Sequence, residues 1–569
     1  MKKIKYIACL LSLAVVSGCD SILDKGPLDS FTNDNFWTGE GNISGYANAF
    51  YEQFLGYGNG NGYGDFYFKT LSDDQAGMSF AKWTYPDNAP STSATWKNGW
   101  IEVRRANIML ENVPTVASLD EATKNHWLGV ARLMRAWQYY HLVRMYGNLP
   151  WIDKALNIND EGEIYGNRED RDMVMDKVLE DLDFAVTNIK DISSKTTWSR
   201  SLANAMKAEV CLYEGTFRKY RKNEDGQQAP DATGAARYLT ACKEACLAVM
   251  SKGYKLNTSY QGNYNSTDLS SNPEMILYKA YKEGLLMHST IDYTCSSTQI
   301  SGMSKNAFES YLFKDGKPMA LTSLNKSDEA PFQYGHLSLK DILAVRDKRL
   351  AQTIDTVLLY NGRGFTRFNT GMESTSSTGY GVAKYDNEAI PEGFRSQSGK
   401  NYTHAPLFWL SVIYLNYAEA CAELGNITQD DLDKSINLLK DRAGLPHLNP
   451  IVGFSDPANN HGVSDLIWEI RRERRCELMF DNDNRYWDLI RWHQLDKLDT
   501  TKYPDIILGA NVANDMDGCE ANKVGKYIDG SKDGSRIYDK KHYLYPIPTG
   551  QIASVSYTHL RAHETPEHL

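Results

Sequence analysis

After residue 16 the sequence has no apolar run approaching the roughly 20 residues that a membrane-crossing helix needs, which excludes a helical membrane domain. Extended basic blocks are missing too. The net charge is -10, and the nearest approach to a basic block, Arg471-Arg472-Glu473-Arg474-Arg475, is interrupted by an acid and reads as a salt-bridged helix face. Nucleic acid, whose phosphates need clustered lysine and arginine, is therefore excluded as a partner. No HExxH, GxSxG or phosphate-cradling glycine motif occurs, so neither zinc-hydrolase, serine-hydrolase nor nucleotide chemistry has its usual residues. CxxC pairs are absent as well. Cys242 and Cys246, four apart on one helical face, read as small core residues, with no metal, cofactor or disulfide framework expected.

What is present begins at the N-terminus. Lys2, Lys3 and Lys5 precede an apolar stretch from Ile7 to Val16, the layout of a secretory signal. The stretch ends in Val16-Ser17-Gly18-Cys19, an apolar residue and two small ones before a cysteine. This resembles a bacterial lipobox and makes 1–18 a signal peptide, with Cys19 the lipidated first residue of the mature chain. Several acyl chains, each buried CH2 contributing about 0.8 kcal/mol, would hold the protein durably on a membrane.

Along the rest of the chain, apolar residues recur three and four apart. The clearest helix carries Leu410, Ile413, Tyr414, Tyr417, Ala418 and Cys421 and closes at Gly425; a second runs from Trp127 to Gly147, and a third from Leu202 is expected to end at Gly215. Further helices are predicted near 39–55, 96–113, 170–190, 235–252, 430–442 and 463–495. Alanines such as Ala131, Ala136, Ala205, Ala208, Ala418 and Ala422 sit beside aromatic residues, which allows close helix pairing of the tetratricopeptide type without a strict repeat. The expected fold is mostly α: about four tetratricopeptide-like helix pairs form a scaffold over about 39–255 and 406–500, with an irregular, loop-rich region over about 256–405. A second irregular stretch, 56–96, holds the run GYGNGNGYGDFYF. Residues 554–569 show neither helical nor strand pattern, resemble translated adaptor read-through and are set aside as a non-native tail.

Several segments together resemble the SusD/RagB family of outer-membrane lipoproteins. The carriers are IRRERRCELMFDNDNRYWDLIRWHQLDKL (470–498), FWTGEGNISGYANAFY, RRANIMLENV, ARLMRAWQYYHLVRMYGNLPWI, FESYLFKDGKP, RDKRL, YLNYAEACAELG, LLKDRAGLP and YLYPIPTGQI, in the family's order from Cys19 to Ile552. The turn from Phe480 to Arg485 is one residue longer than the family's usual one, and the family's ending after the Pro-Ile-Pro segment is replaced by the tail. The resemblance implies a domain over 19–553 that is no enzyme. It would bind polysaccharide or oligosaccharide at the cell surface and deliver it to a SusC-like TonB-dependent transporter in the outer membrane. Arg471, Arg475, Glu477, Arg485 and Asp488 read as ion pairs joining two helices, and Asp73 and Asp74 as turn caps.

A sugar presents a weakly apolar ring face and a rim of hydroxyls, so its site needs flat aromatic surfaces and short polar groups on loops held by a rigid scaffold. Trp83, beside a turn, is read as a stacking face or as an anchor that buries its loop; Asp65 as an acceptor for two hydroxyls or as a solvated loop acid. Tyr293, Cys295, Arg363 and Tyr385 complete the candidate set, with Arg363 offering a planar fork to hydroxyls or a uronic carboxylate. Trp96 and Trp100 read as helix-packing residues. Two rival functions are a helical scaffold for a protein partner and a glycoside hydrolase, which would need two carboxylates at a defined separation.

Overall fold

The computed structural model describes residues 36–552 apart from 68–69, 78–81, 84–88, 226, 296–300, 325–338, 359–364, 367–372, 375, 483, 512–522 and 532–533. Cys19, Arg363 and the segment 554–569 lie outside the described residues.

Ten helices make the framework: α1 (Glu40–Asn48), α2 (Ala94–Asn112), α3 (Glu121–Tyr146), α4 (Arg171–Asn188), α5 (Arg200–Tyr220), α6 (Ala232–Met250), α7 (Leu410–Glu423), α8 (Ile436–Ala443), α9 (Asp465–Glu477) and α10 (Asn484–Arg491). Their starts are set by side chains that accept otherwise unpaired backbone N–H groups: Ser93 from Trp96, Asp120 from Thr123, Ser199 from Leu202, Asp231 from Gly234 and Ser464 from Ile467. Helices α2 to α7 pack each on the next, and α7 packs on α9, which itself contacts α8. Taken two at a time these are four helix pairs, the mostly helical tetratricopeptide-like scaffold expected from the periodicity.

The expected stop at Gly215 does not occur, because α5 continues to Tyr220. Gly215 serves another purpose: a Cβ there would stand 2.7 Å from Leu239 Cγ of α6, so the missing side chain lets the two helices close together. Gly99 plays the same part between α2 and Leu142 of α3. Trp96 and Trp100 meet Tyr146 and Tyr139 edge-on at 4.9 and 5.8 Å, as helix-packing residues. All five cysteines whose side chains are described are buried and unpaired, Cys242 and Cys246 among them.

Buried ion pairs fix the stack. Arg135 of α3 holds Asp181 of α4 through two hydrogen bonds of 2.7 and 2.8 Å, and Arg491 of α10 holds Glu419 of α7 through two of 2.6 and 2.7 Å. The signature residues pair more widely than between two helices: Arg471 reaches Glu423, Glu477 accepts from Arg349 and Arg442, and Asp488 accepts from Arg474 and Arg491. Arg475 and Arg485 turn to Asp74 and Asp73, so these two aspartates are not turn caps but the buried carboxylates that receive the signature arginines.

The irregular region is an insertion: residues 251–409 leave α6 and return to α7, its immediate packing neighbour. The exit and return are clamped by strands Met275–Lys279 and Ala405–Trp409, paired antiparallel. Strands Gln75–Gly77 and Ser301–Met303 pair likewise and bind the 56–77 stretch to the insertion. In the lengthened acidic turn Phe480 and Asn482 take left-handed conformations, with φ of 68° and 47°. The Phe480 carbonyl then accepts Tyr67 N–H at 2.9 Å and Tyr385 O–H at 3.1 Å, and the Asp481 carboxylate accepts Lys384 Nζ at 2.7 Å.

Candidate functional site

The glycine- and asparagine-rich run forms a tight coil. Gly56, Gly58 and Gly60 all have positive φ, and a Cβ at Gly64 would collide with the Gly56 carbonyl oxygen. Glycine is required there for backbone approach as much as for conformation. The coil is then held on the insertion: Gly60 N–H donates to Met287 O at 2.8 Å, Ser289 Oγ to Gly60 O at 2.7 Å, and Tyr281 Oη to Gly58 O at 2.8 Å. Beneath it lies an aromatic floor in which Tyr57 meets Phe66, Tyr385 and His288 at 5.0, 5.6 and 4.9 Å. Burial pulls the His288 imidazole down to about 3, so at neutral pH it is an uncharged member of that floor.

At the apex of the coil stands Tyr63, 61% exposed although it is a large ring. Tyr293, half-buried in the helix Thr290–Cys295, meets it edge-on at 5.6 Å and 73°. The helix is pinned by Asn401, whose side-chain carbonyl accepts the N–H groups of Ile291 and Asp292 at 2.9 and 3.1 Å. Ser398 Oγ donates to Asp292 at 2.7 Å, and Gly399 N–H to Ser289 Oγ at 2.7 Å. The result is an aromatic pair on a loop tip, carried by a hydrogen-bonded platform.

The other predicted residues go elsewhere. Trp83 is only 7% exposed and stacks on His542 at 4.1 Å and 8°, so it takes the anchoring alternative and ties its loop to the 536–543 segment. Tyr385 is fully buried and donates to Phe480 O; its ring has no open face and it belongs to the floor, a correction to its expected place at the surface. Asp65 is half-buried, its N–H on Gly56 O at 2.8 Å, and it lines a cavity between the helices. Cys295 closes the Thr290–Cys295 helix, but its side chain lies outside the described residues, as does all of Arg363. Tyr63 was missing from the predicted set; its signal was a large aromatic residue set in glycine and asparagine with no apolar stripe to demand it.

The cavity beside Asp65 measures about 660 Å³ and runs between the 53–71 segment, α3, α5, α7 and α10. Trp137 and Trp487 give it indole surface, and Arg144, over the Trp487 ring at 4.1 Å, and Glu209 give it charge. Burial holds the Glu209 carboxyl above its usual range, with Arg144 and Arg474 pulling it back. Among the described residues no group of His, Cys, Asp and Glu is arranged to hold a metal ion, and no helix is long and apolar enough to cross a membrane.

A model of the SusD family matches residues 248–557, and one described as starch-binding associating with outer membrane matches residues 32–212. The chain is 25% identical over 509 residues to SusD-like protein P38 of Formosa agariphila, covering 86% of this chain and 92% of that relative. A solved SusD-like carbohydrate binding protein from Bacteroides fragilis superposes with a TM-score of 0.68 at 20% identity, over 91% of this chain and 98% of its own. A laminarin binding SusD-like protein superposes with a TM-score of 0.54, also at 20% identity, over 91% and 98%. At these identities the likeness is one of fold.

Proposed function

The chain belongs to the SusD family, and on that premise we propose that it is a surface glycan-binding lipoprotein that captures polysaccharide or oligosaccharide and passes it to a SusC-like TonB-dependent transporter. The observation that carries this reading is the Tyr63–Tyr293 pair: an exposed tyrosine with a second, half-buried ring edge-on to it, on a loop tip whose backbone is fixed by the scaffold. A sugar ring stacks on such a face, while asparagines of the same coil, Asn59 and Asn61, are exposed beside it to meet hydroxyls. The names of the related structures, a carbohydrate binding protein and a laminarin binding protein, support the same class of ligand.

Binding without chemistry fits this surface. The carboxylate nearest in sequence to Tyr293 is Asp292, which is buried and accepts from Ser398, so it is engaged in holding the helix. Cys19 supplies the anchor in this reading, through the Val16-Ser17-Gly18-Cys19 segment. The anchor and a transporter partner would together place the glycan over an import channel.

Affinity electrophoresis of the mature protein through gels containing single polysaccharides tests the proposal, with the same mixtures assayed for new reducing ends. Retardation by at least one polysaccharide without reducing ends is expected. Release of sugar, or unchanged mobility throughout, contradicts it.

A further inference from the structure

The signature helix α9 borders a second cavity, of about 460 Å³, shared with residues 306–320, 456–460 and 497–506. A smaller void lined by Arg471 and Trp492 shares Arg472, Arg475, Arg485 and Lys497 with it. Among the described residues the smaller void is lined by cations without a carboxylate. The larger cavity adds Asp73, Asp456, Glu309, which pairs with Lys305 at 2.7 Å, and Asp505, which accepts from Asn306 at 2.6 Å, so that nearly every cation already has its carboxylate. Arg472 pairs with Asp456 and with Glu469 at 3.1 Å, Arg475 with Asp74 at 2.8 Å, and Arg485 with Asp73 at 2.7 Å.

Lys497 is the exception. Among the described residues its Nζ makes no hydrogen bond and no ion pair within 4 Å, and its neighbour is the Trp468 ring at 4.6 Å. Arg471, 4% exposed in its side chain, also has Nε and Nη1 buried without a partner. A half-buried ammonium with no acceptor, set among guanidiniums, is unfavourable by itself. Burial, with the charges of Arg485 and Arg475 outweighing Asp73, draws Lys497 down to about 7, and burial with the charges of Arg475 and Arg346 draws Arg472 down to about 10. A negative group inside the cavity would reverse both penalties.

The remaining wall limits what carries that charge. Trp468, Tyr503, Met319 and Ile506 give apolar and aromatic surface, and the volume falls in the range of small-ligand pockets, about 300–1,000 Å³. We propose that this cavity is a binding site for a small oxyanion, a carboxylate or sulfate group on a compact molecule, with Lys497 as its charge partner and Trp468 as the wall beside it. The site does not depend on glycan binding at Tyr63 and Tyr293, and the two fail separately.

Calorimetry of the mature protein at constant ionic strength in chloride tests it with sodium glucuronate, sodium sulfate and neutral glucose as probes. Binding of glucuronate, sulfate or both is expected, with Lys497→Met weakening it at least tenfold, Lys497→Arg keeping it within a few-fold, and Tyr63→Ala leaving it unchanged. Tighter binding of glucuronate identifies an acidic sugar as the source of the anion; equal or tighter binding of sulfate identifies an inorganic or sulfated one. No heat from either anion, or a Lys497→Met variant that binds as well as wild type, overturns the proposal. A readout on the unaltered protein guards against a variant that fails to fold: saturating anion should slow acetylation of Lys497, followed by mass spectrometry, at least fivefold. An unchanged rate overturns the site.

Discussion

Arg485 grips Asp73 through two parallel hydrogen bonds of 2.7 Å each, joining residues 412 positions apart. The aspartate lies just past the aromatic run that ends the glycine-rich coil, and the arginine opens α10, so one ion pair couples the loop region to the helical stack. Burial alone would raise the Asp73 carboxyl, yet Arg475 and Arg485 together hold it well below the usual carboxylate range. Removing one member of a buried pair strands the other, which costs about 3–5 kcal/mol. Arg485→Met leaves Asp73 with the Arg475 guanidinium at 3.4 Å and is therefore expected to lower unfolding stability by part of that amount in denaturant titration, and Arg485→Met combined with Asp73→Asn to recover some of the loss.

The coil makes a different prediction, because its glycines are required by space. Gly64→Ala pushes a methyl group into the Gly56 carbonyl, whereas Gly45→Ala in α1 meets nothing within 4 Å. Gly64→Ala should shift Tyr63 and weaken glycan binding at least tenfold by calorimetry, about 1.4 kcal/mol. Gly45→Ala should leave binding unchanged.

Acid should loosen the stack in a defined window. Burial works to raise Glu419 and Glu473, but Arg491 on the first and Arg349 on the second outweigh it, and both carboxyls fall to about 2 from 4.5. A depressed carboxyl stabilises the fold above its unfolded value and loses that contribution as pH drops through the folded one. Each should contribute about 3 kcal/mol at neutral pH, lost between pH 4.5 and 2. Denaturant midpoints measured at pH 4.5, 3.5 and 2.5 should decline, and the decline should be shallower in Glu419→Gln by one proton's worth.

The helical scaffold was legible because periodicity and terminating glycines act locally: the three-and-four spacing marks the helices, and Gly147 and Gly425 close theirs with positive φ. Gly215 misled because helix packing, a long-range matter, overrode its local meaning as a stop. The same holds for Asp73 and Asp74, whose partners lie some 400 residues away and leave no mark in the neighbouring sequence. Trp83 had the strongest claim to a stacking face, ahead of Tyr293; a ring partner at residue 542 turns it into an anchor, and no pattern within its loop encodes that contact. The lengthened turn at 480–485 was visible as an extra residue, while its use of left-handed Phe480 to present a carbonyl to Tyr67 and Tyr385 depended on the assembled fold.

Lipidation has its own test. Cys19→Ala should move the exported protein from the membrane fraction to the soluble one, and metabolic labelling with an alkyne fatty acid should mark wild type alone. Equal labelling of both would place the acyl chain elsewhere.

The most direct test of the central claim is calorimetric titration of the mature protein with a panel of purified oligosaccharides, in parallel with Tyr63→Ala and Tyr293→Ala. Both variants should keep the unfolding midpoint of wild type within a few degrees, and each should lose at least tenfold in affinity for the oligosaccharide that wild type binds. Full affinity in both variants, or no oligosaccharide binding by wild type, would contradict the account.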